Sequence, residues 1–238
     1  MPATDIDATQ ATTDQTPPAT SGGINLTCMG TEPSETLDGF RRILSLPRFY
    51  RFAQLAVGAE RFRRTLVTEI LQVREGERII DIGCGTADIL EHLDGVDYVG
   101  FDHSKAYIES AAERFSGKGR FVAGTAGSIE LGSITQRSLA MSIGVLHHLD
   151  DNEAIAALRL AASLLDSNGR FISVDPTFAQ GQHPIGRFLA SRDRGRHVRT
   201  PEQTRTLVER VFDTCKVSVR HDLLHVPYSH VLVAAESE

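Results

Sequence analysis

The chain of 238 residues carries 25 Lys and Arg against 31 Asp and Glu, a formal net charge of -6 at pH 7. That length supports one large domain or two small ones, and 41% hydrophobic with 24% charged residues excludes a wholly disordered or fibrous chain. No apolar run approaches the ~18 residues of a membrane-spanning helix, so no membrane partner is expected. The three cysteines, Cys28, Cys84 and Cys215, are odd in number and far apart. They spell neither a disulfide framework nor paired zinc ligands, and predict a reducing, cytoplasmic setting. The charge itself is uneven. Residues 1–40 hold six acids (Asp5, Asp7, Asp14, Glu32, Glu35 and Asp38) and no Lys or Arg, which leaves residues 41–238 with 25 of each sign and no net charge.

In chain order, residues 1–35 are rich in Thr, Ala, Asp, Gln, Pro and Gly and poor in large apolar side chains. They cannot bury enough surface to offset their ordering entropy, and a disordered acidic tail is expected there. The tail lacks the basic start and apolar run of a secretory leader. Residues 36–238 read as one domain. Its first part, 37–72, holds three helical stretches: one around Phe40, Ile43 and Leu44 interrupted at Pro47, one through Phe49, Phe52 and Val57, and one with Phe62, Leu66 and Ile70 at helical spacing.

After Gly76 the pattern alternates. Strands are predicted at Arg78–Ile82, 96–101, Arg120–Ala123, 138–143 and 170–174, with helices at 86–93, 104–116 and 152–165 between them. Alternation of this kind means a parallel sheet with helices on both faces. Thr200-Pro-Glu-Gln203 is a capping-box start with Pro at the first helical position, predicting a helix to about Phe212. Two last strands, at 214–221 and 229–235, are expected to pair as an antiparallel hairpin at the sheet edge. No internal repeat is present.

The segment Asp81-Ile-Gly-Cys-Gly-Thr-Ala-Asp88 follows the first strand and opens the next helix, where an open α/β sheet binds a nucleotide. A tight strand-to-helix turn alone would also use Gly83 and Gly85. The dinucleotide fingerprint, however, wants a small residue where Asp88 stands. Asp81, Asp88 and Asp102 around one site would repel two phosphates and suit a ligand bearing an ammonium and a sulfonium. S-adenosylmethionine is therefore preferred to NAD.

Four motifs then fall in one family's order, and from about 76 to 175 the chain resembles the class I S-adenosylmethionine-dependent methyltransferases. Asp81-Ile-Gly-Cys-Gly-Thr86 is similar to their glycine-rich cofactor loop, and Tyr98-Val-Gly-Phe-Asp102 to the strand whose terminal acid grips the ribose hydroxyls. Ile143-Gly-Val-Leu-His-His-Leu-Asp150 resembles the segment lining the reaction site, and Leu164-Leu-Asp-Ser-Asn-Gly-Arg-Phe-Ile172 the turn into strand five. The resemblance implies a Rossmann-like, mostly parallel seven-stranded sheet with an antiparallel last strand and extra N-terminal helices. It implies S-adenosyl-L-methionine as cofactor and S-adenosyl-L-homocysteine as product. The cofactor residues it implies are Asp81, Gly83, Cys84, Gly85, Asp88, Asp102, His103, Thr125, Ala126, Ile143 and Gly144. The family often carries an acid after strand three near the adenine. This chain instead reads Val122-Ala-Gly-Thr-Ala-Gly-Ser128, where Thr125 or Ser128 can accept a hydrogen bond.

For the chemistry, a hydroxyl or amine acceptor benefits from a base. In small-molecule O-methyltransferases with a similar Leu-His-His segment, the first histidine is that base and an aspartate ending strand five partners it. These positions are His147 and Asp175, with His148 beside the acceptor. Packing at the end of strand four is the alternative role for either histidine. Residues 176–200 form an insertion where this superfamily builds its acceptor pocket. Its arginines Arg187, Arg192, Arg194, Arg196 and Arg199 face only Asp193 within it, and point to an anionic small molecule. The 37–72 helices are expected over the cofactor mouth, which brings Tyr50 to the acceptor. His221, His225 and His230 are expected as exposed strand histidines, and no metal site is read. Two other classes remain: a nucleic-acid or protein methyltransferase using the arginine-rich loop, and a non-catalytic S-adenosylmethionine-binding module. The neutral body and scarcity of stacking aromatics disfavour nucleic acid.

Overall fold

The computed structural model describes residues 58–124, 136–192 and 195–236. Seven strands, β1 (Arg78–Ile82), β2 (Asp97–Asp102), β3 (Arg120–Ala123), β4 (Arg137–Ile143), β5 (Leu165–Pro176), β6 (Cys215–Arg220) and β7 (His230–Glu236), form one sheet in the order β3-β2-β1-β4-β5-β7-β6. Strands β1 to β5 are parallel to their neighbours, and β7 runs antiparallel to both β5 and β6. The last two strands thus pair as the sequence predicts, with β6 at the edge and β7 inserted beside β5.

Parallel strands of this kind are apolar on both faces because helices cover both. One face carries Ile80, Ile82, Ala140, Phe171 and Val233 under helices α3 (Asp151–Leu164) and α5 (Pro201–Val208). The other carries Ile79, Tyr98, Leu139, Met141 and Ile172 under α1 (Ala59–Thr65) and α2 (Lys105–Arg114). A fifth short helix, α4 (Pro184–Ser191), lies in the 176–200 insertion. Capping boxes start α3 (Asp150 with Glu153) and α5 (Thr200 with Gln203), the second as the sequence predicts. No helix among the described residues is long and apolar enough to cross a membrane.

Three local elements differ from the periodicity. The helix expected at 86–93 is a 3₁₀ turn over Asp88–His92, because Ala87 is left-handed (φ 55°) and Leu93 is already extended (φ −114°). Helical geometry has room for little more than one turn between them. Helix α5 ends at Val208, short of Phe212. The stripe Phe62, Leu66, Ile70 runs from α1 into a π-helical turn, Leu66–Leu71, whose wider step buries Leu66 and Leu71 instead of Ile70. These residues pack on a sheet face. The expected acidic tail and the helical stretches before Gly58 lie outside the described residues.

The end of that π turn is tied to the sheet through Arg170 of β5. Its guanidinium donates to the Leu71 carbonyl (2.8 Å) and pairs with the buried carboxylate of Glu77, which also accepts the Arg74 amide (2.9 Å). Removing the acid leaves Arg170, only a quarter exposed, and the Arg74 amide without their partner. Glu77→Ala is expected to lower the unfolding free energy by about 2–4 kcal/mol in urea titrations.

Candidate active site

The strand order reverses between β1 and β4, and the crevice beyond their carboxyl ends is where an open α/β sheet holds its ligand. The turn after β1 is hung on the end of β2. The amides of Gly83 and Cys84 both donate to the Phe101 carbonyl (2.7 and 2.9 Å). Gly83 is left-handed (φ 79°), and a Cβ there would lie 2.4 Å from a Val145 methyl, so this glycine lets the β4 exit close onto the turn. A Cβ on Gly85 would meet nothing within 4 Å among the described residues, leaving its face open to them.

Asp102, buried at the end of β2, accepts the Gly85 amide at Oδ2 (3.0 Å) and the Ser104 amide at Oδ1 (2.8 Å). A carboxylate has about four lone-pair directions, so each oxygen retains capacity for a sugar hydroxyl. This donor set and the open glycine face fit a nucleoside-bearing cofactor. His103, largely exposed, lies with Nδ1 3.4 Å from Asp102. Ile143 packs against the core, and the Gly144 amide donates to Val174 (2.8 Å). Cys84 turns its sulfur toward the bare α-carbon of Gly100. Burial and the charges of Asp81 and Asp102 push its thiol well above the ordinary range, and it stays protonated. Thr125 and Ala126 lie outside the described residues.

Asp88 is not a bare carboxylate. Arg63 of α1 holds its Oδ2 at 2.8 Å, Arg114 of α2 holds Oδ1, and the Thr86 hydroxyl donates to it at 3.1 Å. Two guanidinium groups neutralise it, which corrects the picture of three free acids around a cation. Both partners come from helices far away in sequence, and nothing near Asp88 in the chain announces them.

The structure brings His147 and Asp175 together. In-register pairing of β4 and β5 (Ile143 opposite Val174) sets the two exits side by side. The Leu146–His148 turn then aims His147 Nδ1 at Asp175 Oδ1, 2.9 Å away, and the same oxygen accepts the His147 amide (3.2 Å). Both residues are buried. A carboxylate on Nδ1 places the proton there and leaves Nε2 as the basic nitrogen. His148 is exposed, its ring centroid 4.0 Å from that of His147.

The described arginines of the insertion do not share one environment. Arg187 and Arg196 are exposed, and so is Arg192; Arg187 lies over the Phe178 ring and Arg192 over Phe188. Arg199 is turned inward, bonded to the carbonyls of Leu146 (2.6 Å) and Leu149 (2.8 Å) and to Asp151 (2.8 Å). Its donors are taken up by two backbone carbonyls and the Asp151 carboxylate. Arg194 and Tyr50 lie outside the described residues. Among the three edge histidines, His230 is buried rather than exposed, with its ring near Tyr228 and Phe62; His221 shares a 2.8 Å hydrogen bond with Ser229. Glu60, Glu91 and His92 bring ligand atoms within 4.8 Å of one another, but Arg64 and Arg114 already pair with the two acids.

Asp81 ends β1 in the same crevice. Gly100 stands opposite it in register, and the missing side chain lets the Tyr98 ring lean across to donate to Asp81 Oδ2 at 2.7 Å. Burial pushes the Asp81 carboxyl up to about 7; the Tyr98 bond opposes this and the charge of Asp102 adds to it. Between about pH 4, where an unfolded aspartate titrates, and pH 7, the folded protein keeps a proton that the unfolded chain loses. Stability is therefore expected to fall as pH rises through this window, by on the order of 4 kcal/mol, and to level off above it. Asp81→Asn should flatten that slope in denaturation series from pH 4 to pH 8.

Residues 80–171 match the family model described as "Methyltransferase domain". No curated protein matches the sequence. Among solved structures, the fold is similar to a TehB-like SAM-dependent methyltransferase from Corynebacterium glutamicum, at a TM-score of 0.58 and 19% identity over 84% of this chain and 97% of that one. It is also similar to the pyocyanin biosynthetic protein PhzM (TM-score 0.62, 17% identity), covering 83% of this chain and 61% of PhzM. A third is the plantazolicin methyltransferase BamL, solved with a triazolic desmethylPZN analog and SAH (0.55, 14%, covering 82% and 93%). The family match spans the strands and turns that carry the glycine turn, Asp102 and the His147 segment, and over residues 80–171 the chain is similar to a methyltransferase domain.

Proposed function

We propose that this methyltransferase acts on an oxygen, or failing that a nitrogen, of a small molecule, with His147 as general base held by Asp175. The observation that carries the reading is the buried 2.9 Å contact of His147 Nδ1 with Asp175, on a turn packed against the glycine loop through Val145 and Gly83. S-adenosylmethionine, when bound, supplies a methyl group already activated by a sulfonium. The chain's own part is alignment, worth up to ~7–11 kcal/mol of barrier in favourable cases, and removal of the acceptor's proton, worth ~10²–10⁴-fold. Asp102 holds the ribose hydroxyls, and the turn amides shape the rest of the cofactor seat. His147 accepts the proton at Nε2 while Asp175 stabilises the imidazolium that results.

The insertion at 176–200 bounds the acceptor side, and its exposed Arg187, Arg192 and Arg196 favour an anionic acceptor. PhzM, a pyocyanin biosynthetic protein by its name, and BamL, solved with a triazolic desmethylPZN analog, support a small-molecule substrate by analogy of fold.

The test is release of S-adenosylhomocysteine from S-adenosylmethionine with dialysable and macromolecular cell fractions as acceptor sources. Turnover is expected with the dialysable fraction, falling by ~10²–10⁴-fold in His147→Ala, and substantially in Asp175→Asn, with cofactor binding unchanged by calorimetry. Labelled methyl appearing only in macromolecules would overturn the small-molecule reading. Near-normal turnover of His147→Ala would remove the base. Asp102→Ala should weaken S-adenosylmethionine binding at least about tenfold, the usual loss when a charge-assisted pair of hydrogen bonds is removed.

A further inference from the structure

The end of the insertion, residues 195–199, lies directly on the turn that carries His147. A Cβ built on Gly195 would stand 2.0 Å from His147 Cδ2 and 2.7 Å from its carbonyl oxygen, closer than any side chain can come. Gly195 therefore lies against the ring edge, on the side away from Asp175. Two residues on, the His197 amide donates to the His147 carbonyl (3.0 Å). Arg199 then reaches both ends of the turn, bonding the Leu146 carbonyl (2.6 Å) before His147 and the Leu149 carbonyl (2.8 Å) after His148. Its own carbonyl accepts from the Thr177 hydroxyl (2.8 Å), two residues beyond Asp175. Arg199 is thus joined to both halves of the pair, through its guanidinium to the turn of His147 and through its backbone to the strand end of Asp175.

We infer that Gly195 and Arg199 are positioning residues for His147, setting the ring plane and the His147–Asp175 distance; the inference rests on the proposed role of His147 as base. The rigid β4 and β5 place the two exits, but the Leu146–His148 turn is only one 3₁₀ turn long and cannot hold a ring orientation unaided. Gly195 packs against the ring at Cδ2, and Arg199 adds a donor to the Leu146 carbonyl, which also accepts the Leu149 amide (3.3 Å), and one to the Leu149 carbonyl. Any side chain at 195 forces the imidazole or the chain at 195 to shift, and loss of the Arg199 fork releases the turn from Thr177. The contacts described for the two residues are with the His147 turn, Asp151 and Thr177, not with the glycine loop, so cofactor binding is expected to stay outside this device.

The decisive measurement is the side-chain ¹⁵N spectrum of His147 at neutral pH in the full chain, with calorimetric S-adenosylmethionine binding as the folding control. Wild type is expected to show one tautomer, protonated at Nδ1. Gly195→Ala should keep cofactor affinity within about twofold, yet show mixed tautomers; a ring displaced by about 1 Å also loses ~10²-fold in turnover once an acceptor is in hand. Arg199→Met should do the same, with Arg199→Lys restoring part of the Nδ1-protonated form. If Gly195→Ala and Arg199→Met both bind cofactor and retain the wild-type tautomer, the positioning role is wrong while the base assignment stands. Should wild-type His147 itself carry its proton at Nε2, the base assignment fails first. If Gly195→Ala does not fold, the Arg199→Met and Arg199→Lys pair decides on the same readout.

Discussion

The cofactor end of this protein depends on a backbone tie between neighbouring strands. Two consecutive amides of the turn after β1 donate to one carbonyl at the end of β2, and the Asp102 carboxylate accepts a third amide from the same turn. The turn cannot drift from β2 without leaving three donors unpaired in a half-buried place, each a cost of about 1–3 kcal/mol. With the turn held there, Gly83 offers a bare surface on which Val145 can land, and the β4 exit with its histidine follows. Ligand seat and reaction turn are therefore two sides of one packed contact.

The acids of this region are differentiated by their surroundings. Asp81, buried and bonded to Tyr98, is neutral over much of the acidic range. Asp88 is neutralised by two arginines from different helices and works as a tie between α1, α2 and the loop. Asp102 spends part of its capacity on backbone amides and keeps the rest toward the crevice. Asp175 is committed to one histidine through two hydrogen bonds to a single oxygen. Four aspartates of identical chemistry thus have four roles, because burial and partner charge, not residue type, decide which lone pairs remain available.

The elements that repeat a simple period were legible in the sequence. Strands β1 to β5, the capping box of α5 and the paired last strands are written as alternation, apolar runs and turn residues that act over a few positions. The pairing of His147 with Asp175 was legible only through resemblance, and the structure supplies its reason in the register of β4 against β5. In sequence, Arg199 belongs to a basic loop that looks like one surface. In space its guanidinium is the internal brace of a turn about fifty positions earlier. The π turn and the 3₁₀ turn escaped for a related reason, since one left-handed alanine and one extra residue per turn leave little trace in composition.

By itself, then, the sequence determined the layered α/β sheet, the glycine turn and the order of motifs along it. Hydrophobic period and turn chemistry are local properties, and they survive in one dimension. The tertiary structure alone decided which acid is free, which arginine is braced and why residue 195 is glycine. Each of those answers is a contact between segments far apart in the chain, and only the folded distances, 2.0 Å from a built Cβ to the His147 ring among them, contain it.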